Sequence, residues 1–195
     1  RWIFLSDHAE DFGEERFSKY LSACAKASSL DHTLVPGLEF RFDKHPGLHL
    51  LAIGLRKWID SHTLEAFCRQ ATEHAEFLVM AHPLLTHYSA PEVVLSSIHG
   101  VEVWNAGYNT RYLPDEKAIT FWQCSRRHWP HLVATAGTDQ HDCKVEGRIR
   151  IELPMAGDPF KALREGRFRN RGMLFTFSAT PTWGRSQMWG LALLR

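Results

Sequence analysis

Four cysteines in 195 residues offer little: Cys24, Cys68, Cys124 and Cys143 are scattered and form no C-x-x-C pair. That spacing argues against a zinc knuckle and against a disulfide framework. No apolar run approaches the roughly 18 residues a membrane span needs, and no signal peptide opens the chain. A net charge of +1 lacks the basic surplus of a dedicated nucleic-acid binder. Neither G-x-G-x-x-G nor G-x-x-x-x-G-K-S/T follows a candidate strand, so dinucleotide and P-loop sites lack their phosphate cradle. Reduced cysteines, no leader and no span together lead us to expect a cytoplasmic protein.

What is present is a globular composition, 44% hydrophobic and 12% aromatic, with 12 histidines. The length suits one domain with a real core. The histidines exceed what packing requires, and histidine is the commonest protein metal ligand. The chain starts at Arg1 and passes straight into the apolar run Trp2 to Leu5, so a fragment that opens inside a strand is expected.

Periodicity predicts alternating strands and helices. Strands are expected at Ile3 to Ser6, Thr33 to Phe42, His49 to Leu55, Phe77 to Ala81, Val101 to Trp104, His131 to Ala136 and Arg148 to Leu153. Helices are expected at Glu14 to Ser29, Thr63 to Ala75 (with Ser61 or Thr63 as cap), Pro91 to Ile98, Glu116 to Arg127 and Pro159 to Glu165. The last 25 residues are turn-rich and give no clear pattern. Alternation of this kind predicts an α/β fold with a parallel sheet covered by helices.

Chemistry-bearing residues recur where apolar strands end. "IFLSDH" ends in Asp7 and His8, "LVPGLE" in Glu39, "FLVMAHP" carries His82, and "LVATAGTDQH" ends with Asp139 and His141. In parallel α/β folds the carboxyl ends of strands share one rim, so such groups converge without being neighbours in sequence. His49 opens its strand in "GLHLLAIG". It reaches the same rim if that strand runs opposite to the rest or follows a hairpin from Glu39. Asp139 and His141 are two apart, which in extended chain puts both on one side. Asp7 and His8 are adjacent, so one of them faces inward; His8 is the candidate ligand, and Asp7 the carboxylate that orients an imidazole. Four histidines and two carboxylates suit zinc, manganese or iron, and suit calcium poorly. Each residue alone is more ordinarily a loop, cap or core residue; six in one chain, nearly all at the same topological place, is what turns the reading towards a site.

In order, "LSDH", "VPGLEF", "GLHLLAIG", "MAHP", "GVEVWN" and "AGTDQH" resemble the successive motifs of the PHP (polymerase and histidinol phosphatase) superfamily, and "FKALREGRFRN" is similar to its closing segment. The resemblance spans about residues 3 to 170. It implies a distorted (β/α)7 TIM-like barrel, here truncated at its first strand, with residues 171 to 195 as an extension. It further implies two or three divalent ions (zinc, manganese or iron) in a complete site, and hydrolysis of phosphate esters. Carried over by position, His8, Glu39, His49, His82, Asp139 and His141 become metal ligands, Glu39 being the bridging carboxylate. Ser6 and Thr138 stand where the family has threonine and serine. The family's opening His-x-His has no counterpart here, and its place lies about one β/α unit before Ser6.

The expected activity is hydrolysis of a phosphate monoester or diester (a small metabolite, a nucleotide or an oligonucleotide end) by water activated on metal. Arg111 is the candidate phosphate-holding cation, and Asn105 either bonds substrate or caps a helix. No protein group is assigned as catalytic base. The basic run Arg164 to Arg171 reads as a solvated helix end and gives no nucleic-acid surface. Two alternatives remain open: a catalytically silent PHP module with a structural or regulatory role, and a metal-dependent amidohydrolase.

Overall fold

The computed structural model describes residues 1–60, 63–108, 112–141 and 149–193. The chain is a mixed α/β protein that divides into two compact units, residues 1–80 with 90–98 and residues 81–89 with 99–195.

The first unit contains β1 (Trp2–Phe4), β2 (Asp7–His8), α1 (Glu14–Ala27), β3 (Thr33–Val35), β4 (Gly37–Arg41), β5 (His49–Ile53), α2 (Leu64–His74), β6 (Phe77–Met80) and α3 (Glu92–Ser97). The expected strand over Thr33 to Phe42 is cut in two at Pro36, which has no N–H to give to a ladder. β3 pairs in parallel with β1, while β4 pairs in parallel with β2, placing His8 directly beside Glu39. Gly37 admits no side chain: a Cβ there would lie 2.5 Å from the Leu5 carbonyl oxygen and 2.8 Å from that of Ala52. α1 carries Glu14 and Glu15 in its first turn and Lys26 in its last, matching the helix dipole, and buries Phe17 and Cys24. α2 begins where Thr63 Oγ1 accepts the Ala66 N–H at 3.2 Å. Its inner face is Leu64, Phe67, Cys68 and Ala71.

The wholly parallel sheet expected from sequence is not what forms. β5 is antiparallel to both β4 and β6, with Arg41 opposite His49 and Leu51 opposite Val79. The cause is the link from β4 to β5, residues 42–48, turned by Gly47 at φ +82°. A parallel return needs a crossover of about a dozen residues or more, and this link is too short for one. The hairpin brings His49, the first residue of β5, to the same end as Glu39. Among the described strands no sheet closes into a barrel.

The second unit contains β7 (Gly100–Asn105), α4 (Glu116–Arg126), β8 (Val133–Gly137), β9 (Arg150–Glu152), α5 (Pro159–Arg164), β10 (Arg169–Arg171), β11 (Thr176–Ser178) and α6 (Arg185–Leu193). β7 and β8 are parallel, with α4 as the crossover, and the register shifts between Glu102 and Trp104. Every residue of β7 is buried. Trp104 and Trp122 fill the core; the Trp122 indole donates to the Leu132 carbonyl at 3.2 Å. β9, β10 and β11 form an antiparallel sheet. In β10, Asn170 is buried and donates to the Ala134 carbonyl at 2.8 Å, while Arg169 and Arg171 are exposed on either side. The turn-rich end of the sequence therefore holds β11 and α6, and begins where β10 ends. Leu174, Phe175, Trp183 and Leu191 line an apolar cavity there of about 620 Å³.

Candidate metal centre

In the first unit, alternation along β4 puts Glu39 and Arg41 on one face. β2 sets His8 beside Glu39 in register, and β5 sets His49 opposite Arg41. The four side chains meet. Glu39 Oε1 lies 2.6 Å from His49 Nδ1 and 3.5 Å from Arg41 Nε. Arg41 Nη1 lies 3.2 Å from Glu10 Oε1, and Nη2 donates to His8 Nε2 at 3.0 Å. Glu39 and His49 are buried, 5% and 9% exposed. A carboxylate so far from water needs compensating charge or donors, and a carboxylate beside an imidazole is the donor chemistry that zinc, manganese or iron takes. The pair therefore fits a divalent ion.

Asp7 faces away from this group, as its adjacency to His8 requires. The Tyr20 hydroxyl beside it donates to the Gly37 carbonyl at 3.2 Å. Burial first, and then the Asp7 carboxylate, push the ionisation of Tyr20 far above its ordinary value. Asp7 is thus placed against a phenol.

In the second unit, His82 follows β6 in sequence and is 3% exposed. Its backbone is left-handed, φ +24°, a region that costs a non-glycine residue energy and collects at functional sites. The strain is held by Glu102, whose Oε2 accepts the His82 N–H at 2.9 Å. The same oxygen accepts from Asn105 Nδ2 at 2.8 Å, and that amide also reaches Asp139 Oδ2 at 3.3 Å. The other end of Asn105 accepts the N–H groups of Gly107 and Tyr108 at 2.8 and 2.9 Å, which turns the loop. Tyr108 lays its ring against that of His82, with centroids 4.5 Å apart.

Asp139 is also left-handed, φ +48°. The alternation expected of an extended Asp-x-His therefore does not govern this pair. His141 folds back so that its Nδ1 donates to the Asp139 carbonyl at 3.0 Å; its side chain is 65% exposed, against 13% for Asp139. Arg111 lies outside the described residues.

Of the sequence candidates, the first unit brings His8, Glu39 and His49 together, and in the second Glu102 joins His82 to Asn105, whose amide reaches Asp139. Three participants were missed. Arg41 was signalled by its spacing of two from Glu39 on a strand. Glu102 was signalled by a charge inside the otherwise apolar "GVEVW". Nothing in the sequence pointed to Tyr108.

No family model matches the chain, and no curated protein sequence does. A solved structure is similar in fold: a two-domain protein from Bacteroides vulgatus containing a predicted PHP-like metal-dependent phosphoesterase. The match has a TM-score of 0.55 at 20% identity and covers 88% of this chain. This chain spans 55% of that protein's length. The likeness at this identity is one of fold: the α/β arrangement that presents Glu39 and His49 is similar to that of a protein containing a predicted PHP-like metal-dependent phosphoesterase.

Proposed function

We propose that this chain is a metal-dependent phosphoesterase of the PHP type, acting on a phosphate monoester or diester of a small metabolite, a nucleotide or an oligonucleotide end. The observation that carries the reading is the buried Glu39–His49 pair, 2.6 Å apart on the β4–β5 hairpin. The fold likeness supports it, and a distorted (β/α)7 barrel is the finer topology that goes with it. Glu39 and His49 supply a carboxylate and an imidazole of the ligand set, and His82, Asp139 and His141 are the further candidates that the sequence motifs carry. A divalent ion held there would supply Lewis acidity towards a water nucleophile and a phosphoryl oxygen.

The chain's own residues supply the rest. Glu39 Oε1 stands 2.6 Å from His49 Nδ1 and sets a carboxylate charge beside the imidazole. Glu102 and Tyr108 hold His82 from its backbone and its ring face. Asn105 ties Asp139 to the same carboxylate. Near-zero net charge supports a grip on phosphate through the metal centre rather than through a basic surface. A cytoplasmic setting goes with this reading: Cys24, Cys68 and Cys124 are free thiols, and among the described residues no helix is long and apolar enough to cross a membrane.

The test is phosphate or phenol release from an aryl phosphate and a bis-aryl phosphate, with zinc, manganese or iron(II) supplied and metal content measured in parallel. Release is expected with metal and not after chelation, and His49→Ala should lower metal content and turnover together, each by tenfold or more. A chain that binds divalent ions and releases nothing from either ester would overturn the proposal.

A further inference from the structure

We infer that the Arg41 guanidinium is a resident cation standing, at the His8 end of the site, where a second metal ion would otherwise sit, so that this chain takes one divalent ion. The inference rests on the metal-centre reading above and departs from a site of two or three ions. Arg41 is surrounded by two carboxylates and an imidazole: Glu10 Oε1 at 3.2 Å, Glu39 Oε1 at 3.5 Å and His8 Nε2 at 3.0 Å. Those are the donor types that enclose a divalent ion, arranged here around a fixed positive charge.

Arginine has only N–H donors and stays protonated in proteins. His8 Nε2 must therefore accept, and a lone pair directed at a guanidinium is not available to a metal. An ion seated on His8 would have to displace Arg41 from Glu10 and Glu39 and then face its charge at close range. Register explains why the arrangement is built in: His8 is beside Glu39, and Arg41 is one strand-repeat further along the same face. Glu39 and His49, on the buried side, keep their own contact and remain the seat for one ion.

The experiment is metal stoichiometry of the whole chain, loaded with zinc, dialysed and measured by elemental analysis. The wild-type chain is expected to retain one zinc, His8→Ala still one, and Glu39→Gln none. Arg41→Gln should raise the count to two, and adding His8→Ala to it should return it to one. Two zinc ions in the wild type, with one lost on His8→Ala, would overturn the inference, as would an unchanged count in Arg41→Gln. No zinc in the wild type would sink the metal-centre reading itself, and this inference with it. Should Arg41→Gln fail to fold, the nitrogen NMR signal of His8 Nε2 in the zinc-loaded wild type decides: it is expected at an unmetallated position, and a metallated shift would refute the claim.

Discussion

Glu102 is a carboxylate enclosed in a strand of apolar neighbours, 4% exposed, and the glycine of β8 beside its carboxylate end matters as much as the carboxylate does. Gly137 leaves the space that Glu102 Oε1 occupies; a Cβ at 137 would collide with that oxygen. Gly137→Ala should therefore push Glu102 off the His82 N–H and the Asn105 amide. Overpacking of a filled interior costs about 1–3 kcal/mol, and disturbing hydrogen bonds to a buried charge adds to it. Thermal or urea unfolding is expected to show a loss in that range, with metal retention falling as well. Unchanged stability would mean that the carboxylate moves aside freely. From the sequence, Gly137 was visible only as part of "AGTDQH". Its role depends on a partner in another strand, and no local pattern encodes that.

Secondary elements were legible to the extent that they are governed by local rules. α1, α2 and α4 follow their apolar periodicity and end within a residue or two of the expected bounds, and Thr63 caps α2 as its type allows. Strand direction was not legible from alternation: the β4–β5 hairpin is decided by a seven-residue link and by Gly47, not by the pattern of the strands. Within the site, the hairpin was the condition under which His49 reaches Glu39, and that condition holds. The short strands β10 and β11 and helix α6 escaped because their apolar residues pack on distant partners, as Phe177 does on Trp104 with ring centroids 6.2 Å apart.

Helix starts give a test at this scale. Asp115, fully buried, accepts from the N–H groups of Lys117 and Ala118 and from the Tyr88 hydroxyl at 2.9 Å. Thr63 accepts from one N–H at an exposed position. Asp115→Ala should cost about 2–4 kcal/mol, since it removes a cap and a buried acceptor together. Thr63→Ala should cost about 1 kcal/mol. Equal losses in denaturant titration would show that the buried hydroxyl bond contributes nothing.

For the whole molecule, a metal that binds the folded chain and not the unfolded one shifts the folding equilibrium. At a free concentration 100-fold above its Kd, the gain is about 2.7 kcal/mol. Differential scanning fluorimetry with zinc or manganese(II) should show a rise of several degrees that chelation reverses, and Glu39→Gln should abolish the rise. The same rise in Glu39→Gln would place the ion elsewhere. A net charge of +1 gives the chain little net attraction for a polyanion at long range. Capture of substrate should therefore vary more with metal loading than with ionic strength.

The left-handed backbone at His82 sets stability and chemistry against each other. Glycine adopts that conformation without strain, so a population selected for heat resistance alone should accumulate glycine at position 82, and with each such chain lose an imidazole. A histidine that persists there under selection would be the mark of a site in use.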